Sequence, residues 1–224
     1  MTYLVNDIVL PLDFVEGEAF SKAAARLRAA GIMPSRDTRY SVYRRSVDAR
    51  RRDDVRFSLS VLCEGEFPVL PEEELKRNRI AVRHETGFEI GAPDRKLTDR
   101  PVIVGSGPAG LFAALLLAEN GYRPVVLERG CSLAERVSTV DAFRSARVLD
   151  PSTNIQFGAG GAGTFSDGKL VTRINDPSVS FVLRRFVSFG APEEILQQAR
   201  PHVGTDRLRE VLARMIAYLE DLGT

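Results

Sequence analysis

The sequence predicts a mixed α/β chain, with a small α+β segment in front and a β-α-β unit behind it. Three observations predict this. Short alternating apolar runs and one helical-period run fill the front segment. The aliphatic run Val102-Ile103-Val104 leads directly into three spaced glycines and then into a helical stretch. Between the two lies the polar stretch Pro93–Arg100, with one proline, which places a boundary at about 95–99. The expected division is therefore 1–95 and 99–224, in keeping with a chain of 224 residues.

Composition narrows the class. Hydrophobic residues make up 44% and charged residues 27%, which excludes a mainly disordered chain. Lys+Arg total 31 against 30 Asp+Glu, a net charge of +1, where a generic polyanion binder is far more basic. There are two cysteines, Cys63 and Cys131, and Met1–Leu10 carries no signal-peptide pattern, so a cytoplasmic location is expected. The longest apolar run, Leu111–Ala118, is far short of the ~20 residues that span a bilayer, so no membrane partner is expected. Two histidines without Cys/His pairing point to no metal site.

The front segment reads in order as follows. Tyr3–Leu10 is rich in aliphatic and β-branched residues and stops at Pro11, a strand. Glu16–Ala30 places Ala19, Phe20, Ala23, Ala24, Leu27 and Ala30 at helical spacing and ends at Gly31. Tyr40–Val47 and Val55–Leu62 read as strands joined by the charged stretch Asp48–Asp54. Pro71–Asn78 reads as a short helix with Pro71 in its first turn, and Ile80–His84 as a last strand. The order β-α-β-β-α-β is that of a ferredoxin-like α+β domain. Eight arginines (Arg36, Arg39, Arg44, Arg45, Arg50, Arg51, Arg52 and Arg56) cluster here among Asp37, Asp48, Asp53 and Asp54. The simpler reading of Arg36–Arg56 is a solvated strand face with local ion pairs. The other is a surface for nucleic acid or another phosphorylated partner, although no RNA-binding signature accompanies it.

The second part opens with the most informative stretch. Gly105-Ser106-Gly107-Pro108-Ala109-Gly110 is a G-x-G-x-x-G run between a buried strand and a helix, Leu111–Asn120. Pro124–Glu128 is a second strand closed by an acid, and Glu128 lies 18 positions after Gly110. Strand, glycines, helix, strand and acid stand in the order of a Rossmann-like β-α-β nucleotide site. Gly105 permits the turn off the strand, Gly107 lets backbone approach a diphosphate, and Gly110 lets the helix pack closely on the sheet. The amides and dipole at the helix start favour an anion, and Pro108 costs little in a first turn. Glu128 suits ribose hydroxyls and disfavours a 2′-phosphate, an argument that Arg129 slightly weakens. The residues point to an adenine dinucleotide and leave FAD and NAD open.

A second glycine-dense run, Asn154–Leu170, follows. No apolar strand leads into it, so it reads as a loop brought to the same ligand, lying against a flat ring or a diphosphate. A flavin, whose ring lies far from its adenosine, needs such added coverage. Val104–Gly110, Leu127–Gly130, Asn154–Leu170, Arg200–Asp206 and Tyr43–Arg50 together resemble the bacterial, largely uncharacterised FAD-dependent dehydrogenases, part of the flavoproteins with two dinucleotide-binding domains. The resemblance implies non-covalent FAD in an NAD(P)/FAD-dependent oxidoreductase with an N-terminal accessory domain. It places Gly105, Ser106, Gly107, Pro108, Ala109 and Gly110 at the diphosphate and Glu128 at the ribose. Arg129 and Arg136 then fall near the adenosine diphosphate. Gln156, Gly160, Gly161, Ala162, Gly163 and Thr164 approach the flavin side. Many members have an acid where this chain has Ala159.

Members of that group are far longer, so the chain is expected to be an N-terminal fragment with an incomplete nucleotide fold. The amphipathic helix Thr205–Leu222, with Thr205 as N-cap, and the helix Leu111–Asn120 are then expected to expose part of their apolar stripes, and FAD retention to be weak. The leading function is a flavin-mediated hydride or electron transfer between an unknown small-molecule substrate and an unknown electron donor or acceptor. No catalytic side chain stands out: His202, Lys169 and Asp167 are minor candidates, and no C-x-x-C dithiol is present. Two alternatives stand beside it. One is a nucleic-acid- or protein-binding module in which FAD is structural; the other is an NAD-binding dehydrogenase domain.

Overall fold

The computed structural model describes residues 1–84, 88, 97–165, 169, 170, 172, 174 and 176–224. Two compact units form. One is Met1–Gly87 with Glu193–Pro201; the other is Phe88–Pro192 with His202–Thr224.

The first unit runs β1 (Thr2–Leu10), α1 (Glu16–Ala29), β2 (Arg39–Asp48), β3 (Arg56–Glu64), α2 (Glu72–Arg77) and β4 (Ile80–Val82). Its sheet has the order β2-β3-β1-β4, and every neighbouring pair is antiparallel. β1 is broken by a register shift between Val5 and Ile8, where Asp7 takes φ 55°. Strict alternation from Tyr3 and Val5 would turn Asp7 and Val9 inward. The extra residue reverses the parity, so Ile8 and Leu10 join Tyr3 and Val5 in the core. Arg26 of α1 donates to the carbonyl oxygens of Asn6 and Asp7 that the irregularity frees. Ala19, Ala23 and Leu27 of α1 pack on Leu59, Val61 and Ile80. Pro71 lies just ahead of α2, as its N-cap, and not within the first turn. The later segment joins beside β2: Arg45 N–H donates to Gln197 O (2.6 Å) and Ala199 N–H to Arg45 O (2.9 Å), a parallel bridge between Arg45 and Gln198.

The second unit begins with β5 (Val102–Val104), α3 (Pro108–Glu119) and β6 (Val125–Leu127), and β5 and β6 pair in parallel, Val102 opposite Val125 and Val104 opposite Leu127. Then come α4 (Leu133–Ala146), a 3-10 turn at Ala162–Phe165, α5 (Pro177–Ser188) and α6 (Thr205–Asp221). The apolar stripes expected to lie partly open on two helices are largely covered, with Phe112, Leu116, Leu117 and Ile216 half-buried. Leu111, Ala114, Leu115 and Ala118 of α3 are buried, as are Leu208, Val211, Leu212, Met215 and Leu219 of α6. The two helices pack together, and α5 sets Phe181 and Phe186 against Phe112 of α3. The two-stranded sheet, in contrast, leaves Val104 84% and Val102 60% exposed. Helix α6 is preceded by Gly204 at φ 83°, not capped by Thr205, which is its first helical residue. The positive φ swings the chain into the helix, and Leu208 N–H then bonds Gly204 O. No helix among the described residues is long and apolar enough to cross a membrane.

Candidate dinucleotide site

β5 delivers the chain into Gly105, whose φ of 94° only glycine adopts without strain and whose N–H continues the sheet to Leu127 O at 2.6 Å. Gly107 then stands at the N-cap of α3, with Pro108 at its first position. The first helical bond is Leu111 N–H to Gly107 O at 2.9 Å, so the amides of Ala109 and Gly110 precede the intrahelical ladder. The three glycines differ in what surrounds them. A Cβ on Gly110 would lie 1.9 Å from the Gly105 carbonyl oxygen, so helix and turn touch there. A Cβ on Gly105 or Gly107 would meet nothing within 4 Å. An open space therefore faces the helix start, bordered by backbone N–H groups, with no acidic residue in the first turn of α3. That arrangement fits an anion of phosphate type.

Glu128 leaves β6 and turns toward this loop. Its Oε2 accepts from Ser106 N–H (2.8 Å) and Ser106 Oγ–H (2.7 Å), and its Oε1 from Gly130 N–H (2.8 Å). Burial pushes its pKa up, but the Gly130 and Ser106 bonds, with a further one from the Arg129 amide, outweigh burial and hold it below the ordinary carboxylate value. The carboxylate is thus ionised and anchored to the glycine turn, beside the space a diphosphate would take.

The second glycine run packs directly on the first. Gly160 N–H donates to Ser106 O at 2.9 Å. A Cβ on Gly161 would lie 2.8 Å from Pro108 Cδ and 3.4 Å from Gly107 Cα. Ser106, Gly107, Pro108, Gly160 and Gly161 thus form one surface. Gly163 faces open space, while Thr164 is fully buried and its Oγ1 has no hydrogen-bond partner among the described residues. Ala162 opens the 3-10 turn. Gln156 is exposed, and its backbone N–H bonds Asn154 Oδ1. Arg129 is exposed too, its guanidinium 5.0 Å from the centre of the Phe157 ring.

Arg136 sits behind the loop, fully buried. Its Nη1 donates to the carbonyl oxygens of Gly158, Ala159 and Gly161, its Nη2 to Ile155 O and its Nε to Asn154 O. The guanidinium is turned to the backbone of the glycine run. Gly130 is a close contact that the sequence reading passed over: a Cβ there would lie 2.5 Å from Gly158 Cα. The only signal for it was a glycine two places after the acid. His202 pairs with Lys169 across an antiparallel bridge. Asp167 lies outside the described residues. In the first unit, Arg50 bonds Asp48 (2.8 and 2.6 Å) and Arg56 bonds Asp54 (2.6 Å), so two of the clustered arginines are engaged locally. The Arg50 side-chain bond, with its backbone amide, draws the Asp48 carboxyl down to about 2.

Comparison with known proteins agrees with this layout. Residues 2–64 match a domain of unknown function (DUF8436), and residues 103–169 match the NAD(P)-binding Rossmann-like domain. An uncharacterized protein of Clostridium beijerinckii is 40% identical over 227 residues, an alignment that covers 100% of this chain and 42% of the relative. The chain thus spans about two fifths of the length of the curated relative it matches. The described β5-α3-β6 geometry and the match over residues 103–169 agree on a Rossmann-like, dinucleotide-binding segment.

Proposed function

We propose that the chain binds FAD and belongs to a flavin-dependent oxidoreductase, of which it carries the dinucleotide-binding part. The reading rests on one observation above the rest, the seating of the second glycine run on the first through Gly160 N–H and Ser106 O. A single fingerprint suffices for a diphosphate. A second side-chain-free surface beside it suits a ligand that must lie along more backbone. The amides ahead of the first bond of α3 hold the diphosphate, Glu128 orients the ribose, and the run Gly160–Thr164 lies along the remainder of the ligand. When bound, the flavin supplies the hydride or electron transfer. The front unit, with its β2-β3-β1-β4 sheet, is a ferredoxin-like accessory domain in this reading, and the substrate is a small molecule of unassigned class.

A second reading is an NAD-dependent dehydrogenase domain, favoured by the description of the matching domain. Glu128 disfavours NADP in that case, because a carboxylate repels a 2′-phosphate. The absorption spectrum of the protein as isolated from cells separates the two. A flavin spectrum, with FAD recovered after denaturation, supports the proposal. A colourless protein that releases or takes up only nicotinamide dinucleotide overturns it.

A further inference from the structure

Arg136 is the largest fully buried side chain among the described residues, and none of them supplies it a carboxylate at ion-pair distance. The acid that acts on it through space is Glu128, whose oxygens are taken by Ser106 and Gly130. A buried cation without an ion-pair partner is expensive unless its donors are satisfied. Here backbone carbonyls satisfy them, and the Phe165 ring lies 4.8 Å from the guanidinium carbon.

The order of these bonds matters. A trans peptide is planar, so its C=O and N–H point opposite ways, and the chain contains no cis bond among its described residues. Arg136 Nη1 holds Ala159 O at 2.6 Å. The N–H of that same peptide, on Gly160, donates to Ser106 O at 2.9 Å. The N–H of the next peptide in line, on Gly107, therefore points away from the Gly160 amide, at a residue where an added Cβ would meet nothing within 4 Å. Two peptide planes thus run in series from a buried charge to an amide at the helix start. Bonds in such a series polarise one another.

We propose that Arg136 is a positioning residue for the diphosphate: through the Ala159–Gly160 and Ser106–Gly107 peptides it fixes and polarises the Gly107 amide that receives a phosphate oxygen. This rests on the dinucleotide reading above and adds a residue that need not touch the ligand. Lysine keeps the charge but cannot reach five carbonyls with a planar fork, so it breaks the series while sparing much of the burial.

The test titrates the chain with ADP and follows its thermal melting in parallel, for wild type, Arg136→Lys, Arg136→Gln and Val140→Ala. Val140 is buried in the same helix and takes no part in the series. The expected result is that Arg136→Lys loses ADP affinity by about ten-fold, the scale of one lost charge-assisted bond. Val140→Ala is expected to melt earlier yet bind ADP within about two-fold of wild type, a destabilised core rather than a damaged site. If Arg136→Gln fails to fold, Arg136→Lys carries the comparison. Wild-type affinity in Arg136→Lys overturns the inference, as does a loss in Val140→Ala that scales with its melting shift. If wild type itself takes up no ADP, the dinucleotide reading falls first and this one with it.

Discussion

Gly107 and Gly110 are both glycines of one turn, yet their neighbours ask different things of them. At Gly110 the Gly105 carbonyl oxygen occupies the place of a Cβ. Gly110→Ala is expected to cost ~2–3 kcal/mol of stability, as overpacking against backbone does, measured by denaturant unfolding. At Gly107 a methyl meets nothing, and φ is −71°, which alanine accepts. Gly107→Ala is expected to leave unfolding within ~0.5 kcal/mol of wild type while lowering dinucleotide affinity by about ten-fold or more, because the methyl enters the space of the phosphate. Glu128 gives a pH test. Its folded pKa lies below the ordinary 4.5, so its stabilisation is complete above that value and is lost as pH falls through the folded pKa. The melting difference between wild type and Glu128→Gln should therefore be constant near neutral pH and shrink below about pH 4.5. A difference that grows on acidification would contradict the assignment. The glycines and Glu128 were legible because their spacing is local and their residue types are chemically marked. The contacts of Arg136 were not, since its partners are carbonyl oxygens 18 to 25 positions away and every residue carries one.

Among the elements, those with a clean period were readable. β3 follows alternation and α1 helical spacing closely, and α3 and α6 lie within a few residues of expectation. The β1 irregularity was hidden because both Val5 and Ile8 are apolar, and only the structure shows which parity each half takes. Helix α4 was missed because its apolar residues are sparse, although its start carries a full capping box: Ser132 Oγ accepts from Glu135 N–H, and Glu135 Oε2 from Ser132 N–H. Ser132→Ala is expected to cost ~1 kcal/mol. Because α4 carries Arg136, the same change should raise hydrogen exchange in Gly158–Gly161 more than in the front sheet. Equal exchange in both regions would argue that α4 does not hold the loop.

At the scale of the whole chain, Glu193–Pro201 departs from the linear order. It lies between α5 and α6 in sequence but joins the first unit through its bridge to Arg45. No property of those nine residues announces a neighbour 153 positions earlier, since the link between Arg45 and Gln198 is two backbone hydrogen bonds. The second unit was readable as a nucleotide fold from its front edge alone, while the packing of α5 on α3 depended on Phe181 and Phe186 meeting Phe112 across distant sequence. The central claim is that the two glycine runs make one cradle for FAD. A titration of FAD into the chain, followed by flavin fluorescence and repeated with Gly107→Val, tests it most directly. The account predicts a saturable, one-to-one response in the wild type that Gly107→Val abolishes while still melting cooperatively. An unsaturable response, or equal binding by both proteins, would contradict it.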